Sequence, residues 1–118
     1  MTAVTQTQAL GFIMRHVPNV EQARDFYAGQ LGLTIEMETP GFVQFAGMQG
    51  GTSFALGEAG HGDPVELWWY VGDADAAHTA LRASGVEIVS PPADMPFGRT
   101  LTVKDPAGNS VYLLQPRA

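Results

Sequence analysis

Met14-Arg-His-Val-Pro-Asn-Val-Glu-Gln-Ala-Arg-Asp-Phe-Tyr27 leads from an alternating apolar strand, through an asparagine, into apolar residues at helical spacing. The same grammar returns at Trp68-Trp-Tyr-Val-Gly-Asp-Ala-Asp-Ala-Ala-His-Thr-Ala-Leu81. Val17 corresponds to Val71, Asn19 to Asp73, Ala23 to Ala77 and Tyr27 to Leu81. Identity between the copies is low, but the order of strand, cap and helix is the same, which is the signature of an internal repeat.

Each copy predicts the same elements. Asn19 and Asp73 are suited to cap a helix N-terminus, and Gln22 follows Asn19 at capping-box spacing. Val20, Ala23, Phe26, Tyr27 and Leu31 form one helical stripe; Ala74, Ala77 and Leu81 form the other. Gly32 and Gly85 stand where a helix ends in the left-handed conformation. Short strands follow, at 33–37 and 86–89, and each copy closes with a hairpin. In the first, 42–46 and 52–56 flank a glycine-rich turn; in the second, 100–104 and 110–115 flank Asp105-Pro-Ala-Gly-Asn109. The reading is therefore α+β: two βαβββ modules, at about 10–57 and 65–116, joined by a polar glycine-rich linker at 58–64 that contains His61, in one domain over 1–118.

Composition narrows the classes. At 118 residues, 45% of them apolar, the chain can bury a core without covalent staples. It has no cysteine, which removes disulfides and thiolate metal sites and favours a reducing, cytoplasmic setting. No basic start or apolar run opens the chain, so no signal peptide is expected. No stretch approaches the roughly 20 apolar residues of a membrane span. The net charge of -6, with Lys104 and scattered arginines as the cations, argues against nucleic acid as a partner.

Alternation along the strands sorts residues onto faces. Phe12, Met14 and His16 share one face of the first strand, and Ile13, Arg15 and Val17 the other. Glu66, Trp68 and Tyr70 alternate with Leu67, Trp69 and Val71; Ser110, Tyr112 and Leu114 alternate with Val111 and Leu113. The sets ending in Val17, Val71 and Leu113 read as helix-facing core. The mixed sets read as the lining of a cup. Aromatic walls there suit stacking on a flat ligand. The stretch Ser90-Pro-Pro-Ala-Asp-Met-Pro-Phe-Gly98 is expected as an irregular loop because of its prolines.

Several motifs carry a resemblance: Asp25-Phe26-Tyr27 followed by Leu31-Gly32-Leu33, then Pro96-Phe97-Gly98-Arg99, Val103-Lys104-Asp105-Pro106-Ala107-Gly108-Asn109 and Leu113-Leu114-Gln115-Pro116. With two βαβββ units around them, the chain resembles the vicinal oxygen chelate superfamily of glyoxalases, bleomycin-resistance proteins and extradiol dioxygenases. The resemblance implies a cup-shaped eight-stranded mixed sheet, a pocket between modules and a homodimer. It also implies metal-ligand positions near Phe12, Glu66, Phe54 or Ala55, and Tyr112, where only Glu66 could bind a metal. Catalytic sites usually supply about three protein ligands. No cofactor is therefore expected, with a weakly held divalent ion as the alternative.

The resulting expectation is a metal-independent binder of an aromatic or amphipathic small molecule, resistance- or sequestration-like. The alternative is a metal-dependent lyase, isomerase or dioxygenase. Ligand-binding candidates are Phe12, Met14, His16, Glu66, Trp68, Tyr70, Phe97, Arg99 and Tyr112, with Met95 and Phe97 at the pocket mouth. Glu66 and His16 are the catalytic candidates. Against each stands a plainer role: a hydrogen-bonded histidine, an edge glutamate, aromatics that simply fill a core, and a surface salt bridge for Arg99.

Overall fold

The computed structural model describes residues 3–47, 51–60 and 63–117. His61 of the linker and residues 48–50 of the first hairpin turn lie outside the described residues. The elements are β1 (Thr7–Val17), α1 (Val20–Asp25), a π-helical turn (Phe26–Gln30), β2 (Ile35–Thr39), β3 (Phe42–Phe45), β4 (Ser53–Glu58), β5 (Val65–Val71), α2 (Ala74–Ala83), β6 (Ile88–Met95), β7 (Gly98–Lys104) and β8 (Ser110–Pro116). These eight strands in mixed pairing, with two helices, define the α+β class that the repeat predicts. The chain forms two compact units, Gly11–Glu66 and Leu67 onward together with the residues up to Leu10.

In the first unit the strands run in the order β2-β3-β4-β1, with β1 parallel to β4 and the other neighbours antiparallel. Asn19 adopts an extended conformation and its side chain accepts the Gln22 N–H at 2.9 Å, which starts α1. The helix covers one face of the sheet through Val20, which joins Val43, Phe45 and Leu56 in a buried core. Tyr27 and Phe54 close it: the Tyr27 ring lies 4.9 Å from Phe54 and 6.1 Å from Phe45.

The helical stripe differs from expectation at its end. The Leu31 N–H reaches back to the Phe26 carbonyl at 3.2 Å, the wide spacing of a π-turn. This extra residue per turn lets both Tyr27 and Ala28 pack on the core. Phe26 and Leu31, expected on the buried stripe, are instead 49% and 58% exposed.

The second unit repeats the plan with the order β5-β8-β7-β6, β5 being parallel to β8. Asp73 accepts the Ala76 N–H at 3.0 Å and starts α2. Val71, Ala74, Leu101, Val103 and Leu113 form its core, with Trp69, Leu81, Val86, Ile88 and Val111 packed against them. Gly32 and Gly85 take φ of +75° and +88° after their helices, as the sequence requires.

The proline-rich stretch corrects the sequence reading. It is largely strand: β6 runs through Pro91 and Pro92 to Met95. Two features make this possible. β6 is the last strand in the order, where a missing donor disrupts no second partner. The pairing also slips between Ser90 and Ala93, so the prolines fall in a bulge. At the β6–β7 turn, Gly98 has φ +151°, and a Cβ there would lie 2.3 Å from the Gln115 carbonyl oxygen. Only glycine fits.

Candidate functional site

The register of the first unit places its residues on two faces, since directly paired residues share a face. Phe54 and Leu56 of β4 point with Val43 and Phe45 into the core. Ser53, Ala55 and Gly57 of β4 therefore point the other way. They pair with Phe12, Met14 and His16 of β1, and Ala55 and Gly57 also pair with Gln44 and Phe42 of β3. This settles the open choice on β4: Ala55, not Phe54, shares the face of Phe12 and His16.

On that face His16 and Glu66 meet. His16 Nε2 lies 3.0 Å from Glu66 Oε2, and the two side chains are only 9% and 10% exposed. On the other side of the ring, His16 Nδ1 lies 2.8 Å from the Glu58 backbone carbonyl. A carbonyl oxygen only accepts, so Nδ1 carries a proton and donates it. The His16 backbone N–H also donates to the Pro64 carbonyl at 2.9 Å. Sequence reasoning brought His16 and Glu66 together as candidates but missed what seats the ring. A Cβ at Gly57 would stand 3.1 Å from His16 Nδ1 and 3.2 Å from Met14 Sδ. Glycine directly opposite His16 gives the imidazole its room, and the Leu56-Gly57-Glu58 triplet was the available signal.

In the second unit, Trp68 pairs with Tyr112 across β5 and β8. Their rings stack at 4.9 Å with 24° between planes. Phe97, 46% exposed, meets Trp68 edge-on at 6.1 Å. Tyr70 is half-buried and pairs with Leu114. Trp69 and Leu113 point the opposite way into the core against α2, as the alternation predicts. Trp68, Tyr112 and Phe97 thus form a partly open aromatic cluster on the face away from the helix.

Arg99 does not join that cluster. It alternates with Leu101 and Val103 toward the α2 side of β7, where its guanidinium bonds Asp75 at 3.1–3.2 Å and Asp94 at 2.9 Å. The hydrogen bonds it donates to Asp75, then to Asp94, raise its pKa. These ion pairs are the plainer role named for Arg99, a surface salt bridge. Asp105 anchors the β7–β8 turn: its carboxylate accepts the Asn109 and Ala107 N–H groups at 2.9 and 3.0 Å and the Asn109 side chain at 3.1 Å. Those bonds, the Asn109 N–H foremost, lower its pKa.

The sequence model of the Glyoxalase/Bleomycin resistance protein/Dioxygenase superfamily matches residues 9–113. Two βαβββ modules with these motifs define the class, and the chain belongs to that superfamily. Among solved structures, it is similar to methylmalonyl-CoA epimerase from Mycobacterium tuberculosis, with TM-score 0.78 and 19% identity over 100% of this chain and 94% of that one. A structure described as NAD-dependent benzaldehyde dehydrogenase from Legionella pneumophila matches with TM-score 0.72 and 23% identity over 90% and 98% of the two chains. A superfamily member from Vibrio splendidus matches with TM-score 0.67 and 16% identity over 95% and 100%. No curated protein sequence matches. At these identities the likeness carries the fold and no reaction.

The metal centre implied by the superfamily can be tested on the donors present. At the corresponding positions stand Phe12, Ala55, Glu66 and Tyr112, with one carboxylate among them. That carboxyl group already bonds His16 Nε2. Among the described residues, no three of His, Cys, Asp and Glu gather into a metal-binding group. These residues do not fit a divalent catalytic ion. No described helix is long and apolar enough to cross a membrane.

Proposed function

We propose that this chain is a metal-independent small-molecule-binding protein of the superfamily, holding an aromatic or amphipathic compound by sequestration, as a cytoplasmic homodimer. The observation that carries the reading is the Trp68–Tyr112 stack with Phe97 at its edge. Two stacked rings with an exposed phenyl beside them offer a flat, polarisable surface. A planar ligand there removes apolar area from water at about 25 cal/mol per Å². Phe12 and Tyr112, at positions where metalloenzymes of the superfamily carry ligands, are aromatic here, which supports binding over metal chemistry.

Calorimetry against a panel of planar compounds tests this. Saturable binding is expected, weakened about tenfold or more in Trp68→Ala. A panel without any binder at millimolar concentration contradicts it.

The second reading is an enzyme of the same superfamily, and the His16–Glu66 pair is what favours it, because a fixed imidazole–carboxylate pair is acid–base machinery. A metal-dependent lyase, isomerase or dioxygenase on this chain predicts a stoichiometric divalent metal in protein purified without chelator, lost in Glu66→Gln. Finding that metal would replace the first reading with the second.

A further inference from the structure

Strand register sorts the charges of the second unit by face. Leu101 and Val103 of β7 point into the core, so Thr100, Thr102 and Lys104 stand on the opposite face. There they pair with Leu114, Tyr112 and Ser110 of β8, and Tyr112 in turn pairs with Trp68. Among the described residues, Lys104 is the only charged side chain at the strand positions of the second unit on this face. The acids of this unit lie elsewhere. Asp94 pairs with Arg99 on the α2 side, Asp73 caps α2 and Asp75 belongs to it. Asp105 is bonded within the β7–β8 turn, and Glu87 precedes β6. Glu66, at the start of β5, belongs to the first unit and bonds His16 there. Lys104 is the diagonal neighbour of Tyr112, two positions beyond its partner Thr102. That separation of about 7–8 Å is one a long side chain spans. Its ammonium lies 3.3 Å from the Gly108 carbonyl, beyond the roughly 2.7–3.2 Å of a good hydrogen bond, and makes no ion pair among the described residues. An ammonium carries three donors, so this one contact leaves it able to turn to an incoming acceptor.

We infer that the cluster of Trp68, Tyr112 and Phe97 selects planar compounds bearing an anionic group such as a carboxylate, and that Lys104 is the residue that reads this group. Stacking by itself discriminates poorly among flat molecules, because each of them presents a π-face. Charge at the rim supplies the discrimination: an anion gains the Lys104 ammonium, and a cation is repelled by it. The net charge of -6 is spread over the whole chain, and at physiological salt charges more than about 8 Å away are largely screened.

The role of Lys104 rests on the ligand-binding reading above, and one set of probes separates the two. Naphthoate, naphthylmethanol and naphthylmethylammonium share a planar ring system and carry a negative, a neutral and a positive group. Calorimetry measures their affinities for the wild-type chain and for Lys104→Met, which removes the charge and keeps most of the length. On the wild type, naphthoate is expected to bind about tenfold more tightly than naphthylmethylammonium, because attraction of one and repulsion of the other add. In Lys104→Met, naphthoate is expected to lose about fivefold while naphthylmethanol is unchanged. If naphthoate binds no better than the ammonium probe, or if a folded Lys104→Met keeps the preference, the anion assignment is wrong while ligand binding stands. If none of the three binds at millimolar concentration, both readings fall. Should Lys104→Met not fold, the wild-type ratio alone decides.

Discussion

His16 and Glu66, far apart in sequence, meet through a 3.0 Å contact between Nε2 and Oε2 with both side chains nearly buried. The contact is held from behind by the Glu58 carbonyl on Nδ1 and by the missing side chain of Gly57. A pair fixed from both ends keeps one geometry, which is what a recognition site needs.

Breaking the pair from one side removes a bond from a nearly buried polar group. Glu66→Ala or His16→Ala is expected to cost about 1–3 kcal/mol of stability. The double variant should cost less than the sum of the two, because the bond they share is lost only once. Urea denaturation of all four proteins measures this, and strict additivity would show that the contact is not energetically coupled.

Gly57→Ala acts on the same pair while leaving both of its members in the sequence. Its methyl group would press on His16 Nδ1 and Met14 Sδ at 3.1 and 3.2 Å. A loss of about 1–2 kcal/mol is expected, with a shifted His16 imidazole resonance in NMR spectra. An unchanged resonance would mean that the strand yields instead of the ring.

Gly98→Ala should be the most damaging glycine substitution in the second unit. Its Cβ would meet the backbone oxygen of Gln115, which cannot swing away as a side chain can. More than about 3 kcal/mol is expected, enough to unfold many small domains. Circular dichroism of the purified variant decides between a folded and an unfolded outcome.

Asp105 should set part of the acid limb. Its pKa is lowered by the Asn109 and Ala107 N–H bonds, so its contribution is fully present above the ordinary aspartate value. It is lost as pH falls through the lowered folded value. Asp105→Ala is therefore expected to flatten stability against pH below the ordinary aspartate range while leaving the slope near neutrality unchanged. Denaturation midpoints across an acid series read this directly.

Much of the architecture was legible because it is written locally. The caps Asn19 and Asp73, the terminal glycines Gly32 and Gly85 and the Asp105–Asn109 turn each work through backbone bonds within a few residues. Val17, Trp69, Val71, Val111 and Leu113 were legible as helix-facing because strand periodicity is strict, whereas Arg15 and Leu67 of the same sets are exposed. What escaped depends on tertiary context. Pro91 and Pro92 read as loop because sequence does not say that β6 is an edge with a bulge. The π-turn at Phe26–Gln30 breaks the helical period to seat Tyr27 and Ala28 together, so Phe26 and Leu31 were assigned to the wrong side. Arg99 shares the face of Leu101 and Val103, and its bond to Asp75 becomes visible only once β7 packs against α2. The role of Gly57 becomes visible only once β1 and β4 are in register.

Metal-independent uptake of a planar molecule by the aromatic cluster is open to direct measurement. Fluorescence titration of Trp69→Phe, which leaves Trp68 as the single tryptophan, measures this with and without excess chelator. Saturable quenching by at least one planar compound, unchanged by chelator, is the predicted result. Quenching that appears only after a divalent metal is added, or none at any concentration up to millimolar, would contradict it.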